Sequence, residues 1–88
     1  MHRTTARFWT CFARLPETDQ RAARQNFALL KENPAHPSLH FQKIGKVSRE
    51  MQQHWLWSVR VGINHRILGV EDGTDFIWVW IGPHDEYT

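Results

Sequence analysis

Up to residue 33 the apolar positions recur at helical spacing, and from residue 39 onward they alternate. In residues 4–14, TTARFWTCFAR, the side chains Phe8, Trp9 and Phe12, with Leu15 just beyond, mark one face of a short helix that Thr4 or Thr5 can cap. Leu15-Pro16-Glu17-Thr18-Asp19 then reads as a helix start. Pro16 suits the first helical position, and Glu17 and Asp19 complement the positive end of the helix dipole. The second helix carries Ala23, Phe27 and Leu30 on one face, with Arg21, Arg24 and Lys31 mostly elsewhere. It stops at Asn33-Pro34, because a residue before proline is pushed out of the helical region. The spacing predicts a helical hairpin turning at Pro16.

After the rigid loop PAHPS, the stretch LHFQKIGKV alternates imperfectly and predicts a first strand, with Gly45 marking a bulge or its end. Ser48–His54 is polar and reads as a loop. Trp55–Val61 alternates cleanly: Trp55, Trp57, Val59 and Val61 face one way, and Leu56, Ser58 and Arg60 the other. Gly62-Ile63-Asn64 is a turn, His65–Val70 resumes a strand, and Asp72-Gly73 signals a hairpin. Phe76–Ile81 is apolar on both faces, as in a central strand, and Gly82-Pro83 ends it. The expected architecture is α+β: an N-terminal helical hairpin packed on a three- to four-stranded twisted antiparallel sheet. At 88 residues the chain reads as a single domain, 1–88.

Composition adds a thin core made dense by rings: five Trp, five Phe and one Tyr. The lone Cys11 excludes an internal disulfide and fits a reducing compartment. No apolar run approaches the ~18 residues of a membrane span, and MHRTTARFWT does not read as a signal peptide. The expectation is a cytoplasmic protein without membrane attachment. Net charge is +2, yet residues 1–49 hold nine Lys/Arg against three acids, while residues 50–88 hold two Arg against six. The basic half would attract polyanions, or it is simply a solvated helical surface.

Three stretches carry a resemblance: FARLPETDQRAARQNFALLKENPAHPSLHFQKI, SVRVGINHRILGV and FIWVWIGPHDEY. Together they resemble the RelE/ParE superfamily of toxins from bacterial type II toxin–antitoxin systems, over roughly Phe8 to Tyr87. The Asn-Pro-x-His-Pro-Ser-Leu loop and the closing Ile-Gly-x-His-Asp-Glu-Tyr are the most specific parts. The resemblance implies two helices on a twisted antiparallel sheet and a cognate antitoxin as partner. RelE-like members are ribosome-dependent endoribonucleases acting on mRNA, and ParE-like members inhibit DNA gyrase. A third option is a scaffold that has lost toxicity.

RNA is cut without metal when its own 2′-OH attacks the adjacent phosphate. Arginine suits the phosphate, since its fork holds two oxygens and stays charged, and histidine suits proton transfer near neutrality. The resemblance puts Arg66, in Gly62-x-x-His65-Arg66, on the scissile phosphate, and His84 and Tyr87 at the family's C-terminal proton-transfer positions. Arg60 leaves the Trp57/Val59 side and is the second arginine for the phosphate. Lys43, Lys46 and Arg49 are spaced to bind RNA phosphates along the first strand and the loop after it. Two features depart from the family pattern. His65 stands where a tyrosine is common, and Asp85-Glu86 set two negative charges beside the site.

The six histidines do not form a metal motif, and Pro37 separates the pair His36/His40, so neither metal nor cofactor is expected. The pairs Trp55/Trp57 and Trp78/Trp80 each read as lying on one strand face, for core packing or for base stacking.

Overall fold

The computed structural model describes residues 1–49 and 51–86. Tyr87 lies outside the described residues, as does the side chain of Arg49. The element order is β1 (His2–Thr4), α1 (Ala6–Ala13), α2 (Glu17–Glu32), a 3-10 turn (Pro37–Leu39), β2 (Gln42–Arg49), β3 (Gln52–Val61), β4 (His65–Asp72), β5 (Asp75–Pro83) and a 3-10 turn (His84–Glu86).

Local chemistry explains the helices. Thr5 is extended, and its hydroxyl oxygen accepts from the Phe8 N–H at 3.2 Å, taking up one of the free donors at the start of α1. Glu17 and Asp19 occupy the first turn of α2, and Lys31 its last. Gln20 Nε2 donates to the carbonyls of Phe12 (3.2 Å) and Leu15 (3.1 Å), so α2 satisfies the open end of α1 and sets the hairpin. In the loop that follows, His36 is the N-cap of the 3-10 turn: its Nδ1 accepts from the Ser38 N–H at 3.2 Å. His40 closes that turn at φ 47. This half of the loop signature is therefore accounted for by capping.

The sheet corrects the expected three to four antiparallel strands. It has five strands in the order β1-β5-β4-β3-β2, and it is mixed, because β1 runs parallel to β5. Three residues are too few to show a period, and their partners lie more than seventy positions away, so β1 left no local signal. The His2 ring stacks on Phe76 and Trp78, with centroids 5.9 Å away in each case, and its Nδ1 accepts from Trp78 Nε1 at 3.0 Å. The polar stretch Ser48–His54, expected as a loop, instead largely continues two strands: Ser48 pairs with Gln53 and Arg49 with Gln52. Both faces of this hairpin end are exposed, and ladder pairing does not need apolar side chains. The central strand is β4 rather than β5, and β1 covers β5 only at residues 76–78.

Both helices pack on one face of the sheet. There Phe8, Phe12, Ala23 and Leu30 meet Val59, Val61, Ile67, Trp78 and Ile81 in one buried cluster. Asn26 Nδ2 donates to the Arg60 carbonyl at 2.7 Å, locking α2 to β3 beside that cluster. The alternation expected for β3 holds, with Val59 and Val61 in this core and Arg60 facing the other way with Arg66.

Candidate functional site

The face turned away from the helices carries the arginines. Arg60 and Arg66 are direct cross-strand partners, and Gly82 on β5 continues their row. Directly opposed residues have Cβ atoms roughly 5 Å apart, and like charges there repel. Arg60 Nε donates to the Gly62 carbonyl at 3.1 Å, and Arg66 Nη1 donates to the His65 carbonyl at 2.8 Å. Both guanidinium groups thus lean toward the β3–β4 turn, with most of their five N–H donors uncommitted to these bonds. Neither makes an ion pair with a described carboxylate.

At that same end, the chain leaves β5 and enters the final 3-10 turn. The His84 N–H donates to the Asn64 carbonyl at 2.7 Å, pinning the tail to the β3–β4 turn. An open cleft of about 380 Å³ is lined by Ile63, Asn64, Pro83, His84 and Asp85. His84 and Asp85 are both exposed there. Arg60, Arg66 and His84 are therefore brought to one end of the sheet. Asp85 lines the same cleft, so a carboxylate does share His84's surroundings, as the sequence suggested.

The bulge in β5 separates two tryptophans that the sequence had placed on one face. Register slips between Leu68 and Gly69, so that Gly69 faces Trp78 while Leu68 faces Trp80. Trp78 is fully buried in the helix-side core. Trp80 instead turns to the arginine side, with its ring over Gly82: a Cβ added at Gly82 would lie 2.5 Å from Trp80 Cζ2. A partly exposed indole on the same face as Arg66 is a surface on which a base can stack. Sequence reasoning left Trp80 between core packing and base stacking, and placed it on the same face as Trp78. Gly82 was the available signal, since glycine late in a strand often marks close approach of another group.

The lysines lie elsewhere. Lys43 pairs with Trp57 and Lys46 with Trp55, so both sit on the helix-side face, beyond the region the helices cover. Each ammonium is 4.6 Å from the Trp55 ring centroid. Lys43 and Lys46 therefore do not join Arg60 and Arg66. Arg49 pairs with Gln52 at the far end of β2. His65, the neighbour of Arg66, points to the helix side, with Nε2 3.9 Å from Asp19 Oδ2.

An apolar groove of about 390 Å³ runs between α1 and α2, floored by Phe8, Phe12, Phe27 and Ile67 and walled by Trp9. Arg24 and Lys31 rim it, each lying over a ring, at 4.9 Å from Phe12 and 4.7 Å from Phe27. A third cleft, of about 330 Å³, opens where β1 stops covering β5, with Arg14, His65 and Trp80 in its wall. Among the described residues no cluster of His, Cys, Asp and Glu is disposed to hold a metal ion, and no helix is long and apolar enough to cross a membrane.

No protein-family model and no curated protein sequence matches the chain. A solved structure does: the crystal structure of the archaeal RelE–RelB complex from Pyrococcus horikoshii OT3 superposes over 93% of this chain and 91% of the matched chain, with a TM-score of 0.62 at 17% identity. Two helices on one face of the sheet, with the arginine row on the other, are built on a RelE-like fold.

Proposed function

We propose that this chain is the toxin of a type II toxin–antitoxin pair and that it cleaves mRNA on the ribosome without a metal. The observation that carries the reading is the Arg60/Arg66 pair, two cations directly opposed on an open sheet face with no described carboxylate to neutralise them. Such an arrangement costs stability unless an anion lies between or above the two groups. The RelE-like fold supports the same reading.

In the proposed reaction the RNA 2′-OH attacks the adjacent phosphorus and its proton is removed. The P–O5′ bond breaks, leaving a 2′,3′-cyclic phosphate and a 5′-hydroxyl. Arg60 and Arg66 hold the non-bridging oxygens, whose charge grows in the pentacoordinate transition state. His84, at the mouth of the adjoining cleft, exchanges a proton with the reacting oxygens, and Tyr87 is the second candidate for that transfer. Trp80 stacks a base next to the scissile phosphate.

The partner is a cognate antitoxin that presents an apolar segment with acidic residues. The α1/α2 groove supports this, because its apolar floor is rimmed by Arg24 and Lys31. Co-purification with the product of the adjacent reading frame, lost in a Trp9→Asp variant, tests the pairing.

The test of the activity is induced expression of the chain alone, followed by mapping of cellular mRNA 5′ ends. Cuts clustered in translated codons, absent in an Arg66→Ala/His84→Ala variant that folds normally, are the expected result. Growth arrest with intact mRNA would replace this reading by inhibition of a protein target such as DNA gyrase. Neither arrest nor cuts would leave a non-toxic scaffold that keeps antitoxin binding.

A further inference from the structure

Lys43 and Lys46 are three positions apart, and in a regular strand that spacing sends two side chains to opposite faces. A bulge at Ile44 adds one residue to β2 between them, so that Lys43 pairs with Trp57 and Lys46 with Trp55 on the same face. The two ammonium groups converge on one indole, each 4.6 Å from the Trp55 centroid, and Lys43 is also 5.5 Å from that of Trp57. Neither lysine makes an ion pair with a described carboxylate, and the one described acid at this cluster, Glu71, takes the Trp57 Nε1–H at 2.7 Å. Trp55 remains 38% exposed on a hairpin whose outer strand packs chiefly on β3.

From this geometry we infer that the β2–β3 hairpin is a second RNA-binding surface, separate from the arginine row, in which Trp55 stacks a base and Lys43 and Lys46 hold the flanking phosphates. A partly exposed ring beside two cations without a described carboxylate matches the alternation of flat bases and anionic phosphates along a single strand. An acidic peptide would satisfy the cations but leave the indole without a stacking partner. Because the two surfaces lie on opposite faces of the sheet, a strand engaging both must pass around the free edge of β2, or the hairpin must hold a different stretch of RNA from the one at Arg60 and Arg66. The inference deepens the proposed action on RNA, but it does not require cleavage.

Fluorescence anisotropy with a 2′-O-methylated 12-mer, which cannot be cut, separates binding from cleavage. Lys43→Gln/Lys46→Gln should bind about tenfold more weakly at moderate salt, and the slope of log K against log[salt] should fall by roughly 1.4, about 0.7 for each lost phosphate contact. Trp55→Leu should weaken binding about fivefold or more with little change in slope. Combined with Arg60→Gln/Arg66→Gln, the losses should multiply, as for independent surfaces. Unchanged affinity and slope in the lysine variant, with its thermal melt unaltered, would overturn the inference. So would lysine-dependent binding of an acidic 12-residue peptide without lysine-dependent binding of the oligonucleotide, which would make the hairpin a protein-docking surface. Absence of cleavage in cells together with a lysine-dependent slope would sink the nuclease reading and leave this one standing.

Discussion

Arg60 and Arg66 face each other across β3 and β4, each bonded to a backbone carbonyl near the same turn and neither paired with a described acid. Directly opposed like charges repel, so the pair costs the fold stability.

Replacing either arginine with glutamine should therefore leave stability unchanged or raise it, by about 0.2–1 kcal/mol. Activity on RNA should fall by about 10²-fold or more, as when a donor to developing charge is removed. Thermal melts and cleavage assays on the same preparations decide the point, and a clear loss of melting temperature would show that the arginines serve the fold.

Two glycines should respond differently to alanine. At Gly69 the new Cβ would lie 2.3 Å from the ring of Trp78, which is fully buried and cannot yield. Gly69→Ala should destabilise by about 1–3 kcal/mol or more. At Gly82 the obstacle is the ring of Trp80 at 2.5 Å, which is less buried than Trp78. Gly82→Ala should cost less stability than Gly69→Ala and impair RNA binding more. Equal stability losses would show that Trp80 is as fixed as Trp78.

Asn26 holds the strand that presents Arg60, through its 2.7 Å bond to the Arg60 carbonyl. Asn26→Ala leaves that partly buried carbonyl without this donor and should cost about 1–3 kcal/mol in denaturant unfolding. A loss under half a kilocalorie would mean that water replaces the amide at no cost.

His2 gives the fold a pH dependence. Its pKa lies below the ordinary histidine value, chiefly because burial disfavours the charged form, with the N-terminal ammonium and Lys31 acting in the same direction. Between the lowered folded pKa and the unfolded value of ~6.5, the unfolded chain binds more protons, so stability rises with pH there. Acidification through ~6.5 should thus destabilise the protein, and protonation of Nδ1 would also remove the acceptor for Trp78 Nε1. In His2→Gln the drop in melting temperature between pH 7.5 and 5.5 should be smaller than in the parent. Parallel drops would exclude His2 as the cause.

The helical half was legible because its determinants are local. Thr5 caps α1 with its own side chain, Pro34 stops α2 by sterics with its neighbour, and the Ala23/Phe27/Leu30 stripe needs only a period of 3.6 to be seen. The alternation in β3 was legible for the same reason, and it sent Arg60 away from the core. Three features depended on partners far along the chain. β1 joins the sheet only because His2 finds Phe76 and Trp78 more than seventy residues later. The slip at Leu68/Gly69 puts Trp80 beside the arginines and Trp78 in the core, although the two are separated by a single residue. The bulge at Ile44 brings Lys43 and Lys46 to one ring, on the face opposite Arg60 and Arg66. A bulge moves every later side chain to the other face, and where it falls is settled by which register buries the most surface against the neighbouring strand. By itself the sequence determined which residue types could meet a phosphate; only the pairing of the strands decided that they lie on two faces rather than one.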